Sequence, residues 1–177
     1  MAMIKATLVD AINRALHQEM ERDEKGIVMG EDVGKDGGVF RVTEGLYAKF
    51  GETRVIDTPL AESGIVGTAI GLAVSGLRPV AEVQFDGFVY PAFDQLISHA
   101  ARIRNRSRGR FHCPLVLRLP YGSGIKALEH HSEAMEALFV HLPGCKVVIP
   151  SNPYDAKGLM ASAIREEDPV IFLEPKK

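Results

Sequence analysis

Glu62, Gln84, Phe88 and the pair His130-His131 are the residues of this chain whose types and spacing could support chemistry. Glu62 is the only carboxylate between Asp57 and Glu82, and it opens a stretch in which Gly64, Gly67 and Gly71 fall three and four apart. A carboxyl group in apolar surroundings has its charged form disfavoured, so it can donate a proton near neutrality. An acid in a first helical turn can equally serve the helix dipole, and that is its commoner use. Each glycine in a helix interior costs about 0.5–1 kcal/mol against alanine, so close approach of another backbone or of a ligand is expected on that face. The run Gln84-Phe85-Asp86-Gly87-Phe88-Val89-Tyr90-Pro91 offers an amide and several flat apolar faces, although aromatics more often fill a core. In Glu129-His130-His131-Ser132-Glu133 the adjacent histidines point different ways and match no helical zinc spacing. One histidine acting as a proton-transfer or hydrogen-bonding group is the chemistry left open there.

These residues need elements that bring them together. Short apolar, β-branched runs at 27–29, 54–57, 80–85, 115–119, 146–149 and 169–173 read as strands. Between them the 3.6-residue period or its punctuation predicts helices at 7–22, 43–50, 59–74, 93–104 and 154–165. Thr58 is expected to cap the third of these, with Pro59 in its first turn and Ser75-Gly76 as its stop. Strand, helix, strand is too long for a hairpin and suits a parallel crossover. The expected fold is therefore α/β, a parallel sheet of about six strands with helices on both faces. All strands of such a sheet leave at one edge, where ligands collect, so Glu62, the aromatic run and the histidine loop should converge there.

Composition narrows the function. A chain of 177 residues makes one full core, and a net charge of −2 gives no electrostatic case for nucleic acid or an anionic membrane. No apolar run reaches the length of a membrane span, and the start of the chain lacks a signal-peptide core, so a soluble cytoplasmic protein is expected. Cys113 and Cys145 show no metal or redox spacing. The arginines at 102, 104, 106, 108 and 110 fan around a helix axis, which suits a solvated or subunit-facing helix end better than a nucleic-acid stripe. Residues 30–38 are glycine-rich but carry Glu31, Asp32 and Asp36, which would repel phosphate, so they read as a surface or partner-facing loop.

With these residues in view, the chain resembles the beta subunit of the thiamine-diphosphate-dependent decarboxylating component of 2-oxo acid dehydrogenase complexes. The resemblance is carried by Gly30-Glu31-Asp32-Val33-Gly34, Gly38-Val39-Phe40-Arg41-Val42-Thr43, residues 57–71, Gly76-Leu77-Arg78-Pro79 and Gln84-Phe85. It continues through Phe93-Asp94-Gln95, His131-Ser132, Pro143-Gly144, Val147-Val148-Ile149-Pro150 and Ala156-Lys157-Gly158-Leu159. It implies a transketolase-like pyrimidine-binding domain over residues 1–177, without the further α/β domain that relatives carry beyond Glu174-Pro175-Lys176.

By that resemblance Glu62 matches the glutamate that hydrogen-bonds N1′ of the aminopyrimidine and favours the imino tautomer, which takes the proton from the thiazolium carbon. Leu60 and Gln84 match residues lining the pyrimidine pocket, Phe88 the aromatic position beside the ring, and His131 a histidine implicated in passing the acyl group to lipoamide. Leu115, Val116, Ala163, Glu166 and Asp168 fall where some relatives hold a structural potassium ion, with Asp168 in place of a more usual asparagine. The Gly-Asp-Gly grip on diphosphate and magnesium belongs to an alpha subunit in this family; Lys35-Asp36-Gly37-Gly38 does not match it. The implied assembly is a heterotetramer with alpha subunits, bound to a lipoyl acyltransferase and acting on a 2-oxo acid. Branched-chain acids are favoured over pyruvate on the region 88–106, with acetoin, a transketolase-like reaction and a non-catalytic assembly module as the other readings.

Overall fold

A computed structural model describes residues 5–176. Six strands form one all-parallel sheet in the order β2-β1-β3-β4-β6-β5. They are β1 (Gly26–Gly30), β2 (Val55–Asp57), β3 (Arg78–Glu82), β4 (Val116–Tyr121), β5 (Lys146–Val148) and β6 (Val170–Pro175). β1, β3, β4 and β6 are buried along nearly their whole length, as both-face coverage by helices requires. The expected α/β sheet of six strands is what the chain forms.

Two cores result, one on each face. Valines at 28, 55, 80, 116 and 170 with Phe172 pack under α1 (Leu8–Arg22), α2 (Leu46–Phe50) and α7 (Pro153–Arg165). Met29, Ala81, Val83, Leu117, Leu119, Ile171 and Leu173 pack under α3 (Glu62–Val74), α4 (Tyr90–Gln95) and α6 (Glu136–Val140). Thr7 caps α1 in a reciprocal box with Asp10. Glu19 of α1 is buried yet anchored: burial works to raise its carboxyl, but hydrogen bonds from Arg165 of α7 and from Arg22 hold it at about 2.

Several expected boundaries move, each for a local reason. β3 begins at Arg78, so Pro79 lies inside a central strand. β4 pairs with β3 only from Val80 onward, so proline's missing N–H falls where no ladder bond is needed. The helix expected over 93–104 is interrupted by a π-helical turn, Leu96–Ala100, before α5 (Ile103–Arg106). Arginines close that interruption: Arg102 donates to Ile97 O at 2.9 Å and Arg106 to Ser98 O at 2.6 Å. The basic run thus caps loose carbonyls and pairs with Asp168 through Arg104 at 2.6 Å. No helix among the described residues is long and apolar enough to cross a membrane.

Candidate active site

The chain runs from β1 outward to β2 and then returns to β3 on the other side of β1, so the strand order reverses at the β1–β3 junction. The crevice beyond the carboxyl ends at such a reversal is where open parallel sheets place their ligands. Glu62 reaches this crevice as the first residue of α3. The helix does not start at Pro59 with a Thr58 cap. Thr58 N–H instead donates to Gly30 O at 2.9 Å, which extends the β2–β1 ladder, and the residue before a proline is disfavoured in the α region. Helix therefore begins only after Ala61, without a side-chain cap. Glu62 is half-exposed, and Leu60 is 77% exposed, so the apolar setting expected around the acid is not made by this chain alone.

The loop after β1, expected at the surface or facing a partner, exposes Asp32, Lys35, Asp36 and Val39 but is anchored underneath. Val33, Gly34, Gly37 and Gly38 are buried, and the loop is tied down where Gly34 N–H donates to Asp57 Oδ1 at 2.6 Å. It carries Glu31 to the same crevice: burial pushes the Glu31 carboxyl up, and the neighbouring charges of Glu62, Asp32 and Glu82 push it further. Gln84 donates to Asp32 Oδ2 at 3.1 Å, which joins this loop to the end of β3. Glu31 is a site residue that spacing could not reveal, since an acid in a glycine-rich loop reads as solvated until the register places it beside another acid.

An aromatic cluster forms the adjoining wall. Phe85 meets Phe88 and Phe40 edge to face at 5.7 and 5.8 Å, and the His131 ring lies 4.6 Å from Phe85 and 4.9 Å from Phe88. His131 Nδ1 is 2.8 Å from Glu129 O. A carbonyl only accepts, so Nδ1 donates this bond and Nε2 is the ring nitrogen left for other partners. His130, with φ of +63°, turns away and puts Nδ1 3.1 Å from Glu133 Oε1. Glu62, Gln84, Phe88 and His131 thus share one edge of the sheet, as their positions after successive strands require.

Beneath that edge lies a fully buried ion triad. Arg118 of β4 makes two hydrogen bonds to Glu174 of β6, at 2.6 and 2.8 Å, and one to Glu82 of β3 at 2.6 Å. Burial pushes the Glu82 carboxyl up against the pull of Arg118.

Residues 5–177 match the transketolase pyrimidine-binding domain family. The chain belongs to that family. This pyrimidine domain is 64% identical over 171 residues to the pyruvate dehydrogenase E1 component subunit beta of Acholeplasma laidlawii. It is 56% identical over 169 residues to the 2-oxoisovalerate dehydrogenase subunit beta of Bacillus subtilis (strain 168). These matches cover 97% and 96% of the chain, which in turn spans about half, 52%, of the length of each relative. Among solved structures, a split-gene transketolase described as an inactive beta4 tetramer shares the fold at a TM-score of 0.77 and 20% identity, over 98% of this chain and 53% of that one. The resemblance to beta subunits of 2-oxo acid dehydrogenases read from the motifs is borne out.

The remaining expected residues lie at the opposite edge of the pyrimidine domain. Leu115 and Val116 stand at the start of β4, Ala163 in the last turn of α7, and Glu166 and Asp168 in the connection to β6. Their groups are largely engaged: Leu115 O accepts from Val170 N–H at 2.9 Å, Asp168 pairs with Arg104, and Glu166 pairs with Lys146. The Glu166 and Asp168 side chains are thus committed to a lysine and an arginine, which leaves the backbone carbonyls of this edge as the groups a potassium ion would use. A cavity of about 580 Å³ is also at this edge, between Ala101, Arg104, Arg108, Cys113, Gly144 and Asp168, and is remote from Glu62. Among the described residues no group of three or more His, Cys, Asp and Glu side chains is placed to hold a metal. The glycine face of α3 is approached only at Gly67, where an added Cβ would stand 3.4 Å from Gln95 Oε1, and is open at Gly71.

Proposed function

We propose that this pyrimidine domain is part of the beta subunit of a 2-oxo acid dehydrogenase and contributes the aminopyrimidine side of a thiamine diphosphate site shared with an alpha subunit. The observation that carries this reading is Glu62 at the first turn of α3, at the same carboxyl edge of the parallel sheet as Gln84, Phe88 and His131. An acid next to aromatic faces and an amide fits an aminopyrimidine, which needs a proton partner at N1′ and apolar contact on its ring. The same edge does not fit a diphosphate, because Glu31, Asp32 and Asp36 surround it with negative charge. Diphosphate and magnesium are accordingly assigned to the alpha partner.

Bound thiamine diphosphate would supply the carbon nucleophile that adds to the 2-oxo group and the electron sink for loss of carbon dioxide. Glu62 holds and exchanges the proton at N1′, while burial and then the charges of Glu62, Asp32 and Glu82 push the Glu31 carboxyl beside it up. Gln84 and Phe88 orient the ring. His131, with Nδ1 committed to Glu129 O, leaves Nε2 as the nitrogen to exchange a proton during acyl transfer to lipoamide. Burial pushes Cys113 up to about 12 and Cys145 up to about 11, so neither thiol is a nucleophile at neutral pH.

The substrate is a 2-oxo acid. The preference for branched-chain acids rests on residues 88–106 alone, and the more similar of the two relatives above carries the pyruvate name, so pyruvate stands level with them. A soluble cytoplasmic heterotetramer serving a lipoyl acyltransferase is the assembly this reading implies. The test is turnover of a panel of 2-oxo acids by the full gene product co-purified with its partner, with thiamine diphosphate and magnesium. Glu62→Gln should fold normally and lose roughly 100-fold or more in kcat, because an amide cannot transfer the proton. Undiminished turnover in that variant would sink the assigned role.

A further inference from the structure

Behind the His131 wall lies a group of polar atoms that the chemistry above does not use. Among the described residues, six buried side-chain oxygen and nitrogen atoms lack a hydrogen-bond partner, and four of them are here: both oxygens of Asp86, Ser132 Oγ and Glu136 Oε2. Asp86 is 0% exposed. A buried carboxylate without a close donor is costly, and in a native fold it needs a reason.

The reason lies in what surrounds it. Asp86 opens the turn between β3 and α4, and burial pushes its carboxyl up to about 6, with the Lys176 charge pulling the other way. Lys176 follows β6 and ties three elements at once. Its backbone N–H donates to Tyr121 O at 3.1 Å, its Nζ donates to His131 O at 2.6 Å, and Nζ lies 5.0 Å above the Phe85 ring. The turn itself presses on the histidine loop, since a Cβ on Gly87 would stand 2.3 Å from His130 O, a space only glycine leaves free. Glu133 closes the other end, accepting from Tyr90 Oη at 2.9 Å and, through its carbonyl, from Gly122 N–H at 2.9 Å.

We propose that Lys176, through its hydrogen bond to His131 O and its place over the Phe85 ring, is a positioning residue that locks the His130–Glu133 segment onto the Phe85–Phe88 turn and so aims the His131 imidazole into the crevice. This rests on the reading of His131 given above. Without the ammonium, His131 O loses its partner and the loop between β4 and α6 has no fixed seat on the aromatic turn.

The test uses the full gene product with its partner and two readouts: amide hydrogen exchange by mass spectrometry, and kcat and KM with lipoamide as acceptor. Lys176→Met should raise exchange across residues 122–135 by about ten-fold or more while the rest of the sheet is unchanged. It should lower kcat roughly 10- to 100-fold and leave the KM for the 2-oxo acid within about two-fold. Lys176→Arg should restore both. Wild-type exchange in residues 122–135 of Lys176→Met, or exchange raised uniformly over the sheet, would overturn the proposal. So would wild-type kcat in that variant while Glu62→Gln is inactive. If Glu62→Gln keeps full turnover, the reading of the site fails instead, and the exchange data, which need no turnover, still decide this one.

Discussion

Glu62 owes its place to Pro59 and Thr58. The proline keeps Thr58 extended, Thr58 continues the ladder to Gly30, and the helix is delayed until the acid is its first residue. The acid and its neighbours in sequence were legible; the delay was not, because Thr-Pro also reads as a cap and first turn. Asp86 was legible only as part of an aromatic turn, and its burial depends on the loop after β4 folding over it. Its titration gives a stability prediction. The folded carboxyl is raised from an ordinary 3.8 to about 6, so its protonated form favours folding fully below the unfolded value, and that contribution is lost as pH rises to about 6. Asp86→Asn removes the titration, so its stability relative to wild type should climb between about pH 4 and 6 and then level off, reaching about 1–3 kcal/mol in favour of asparagine. Denaturant melts across pH check this; a difference that stays flat, or grows toward acid, contradicts it.

At the scale of elements, the sheet is fastened by the Arg118 triad, which joins β3, β4 and β6 just below the crevice. Removing the arginine leaves two buried carboxylates facing each other, so Arg118→Met should cost about 3–5 kcal/mol in urea unfolding, whereas replacing all three residues by apolar ones should cost far less. A loss under about 1 kcal/mol for the single change would show that the carboxylates find water or each other's protons instead. Nothing in the one-dimensional pattern announces this triad: Glu82, Arg118 and Glu174 sit in apolar runs and look like ordinary strand-end charges until β3, β4 and β6 are adjacent. The strands themselves and the helices α1 and α7 were readable because β-branched runs and a 3.6-residue stripe are local signals. The π turn at Leu96–Ala100 was not, since it answers to packing around Gly144 and Ala101 rather than to propensity.

At the scale of the molecule, one edge of a parallel sheet carries an acid, an amide, an aromatic wall and a histidine anchored through Nδ1, and Glu62 among them is only partly buried. Leu60 and the glycine face of α3 are open in the same way. An open half-crevice with negative charge where a diphosphate would lie is the form a site takes when its other wall belongs to a second subunit. That these residues gather at one edge could be read from strand order and motif position; how exposed they are there could not, because sequence does not report exposure. The most direct measurement is thiamine diphosphate binding, by calorimetry with magnesium, to the full gene product alone and together with its alpha partner. Saturable binding only with the partner, weakened by Glu62→Gln, is the expected result. Equally tight binding to the beta chain alone would contradict the account.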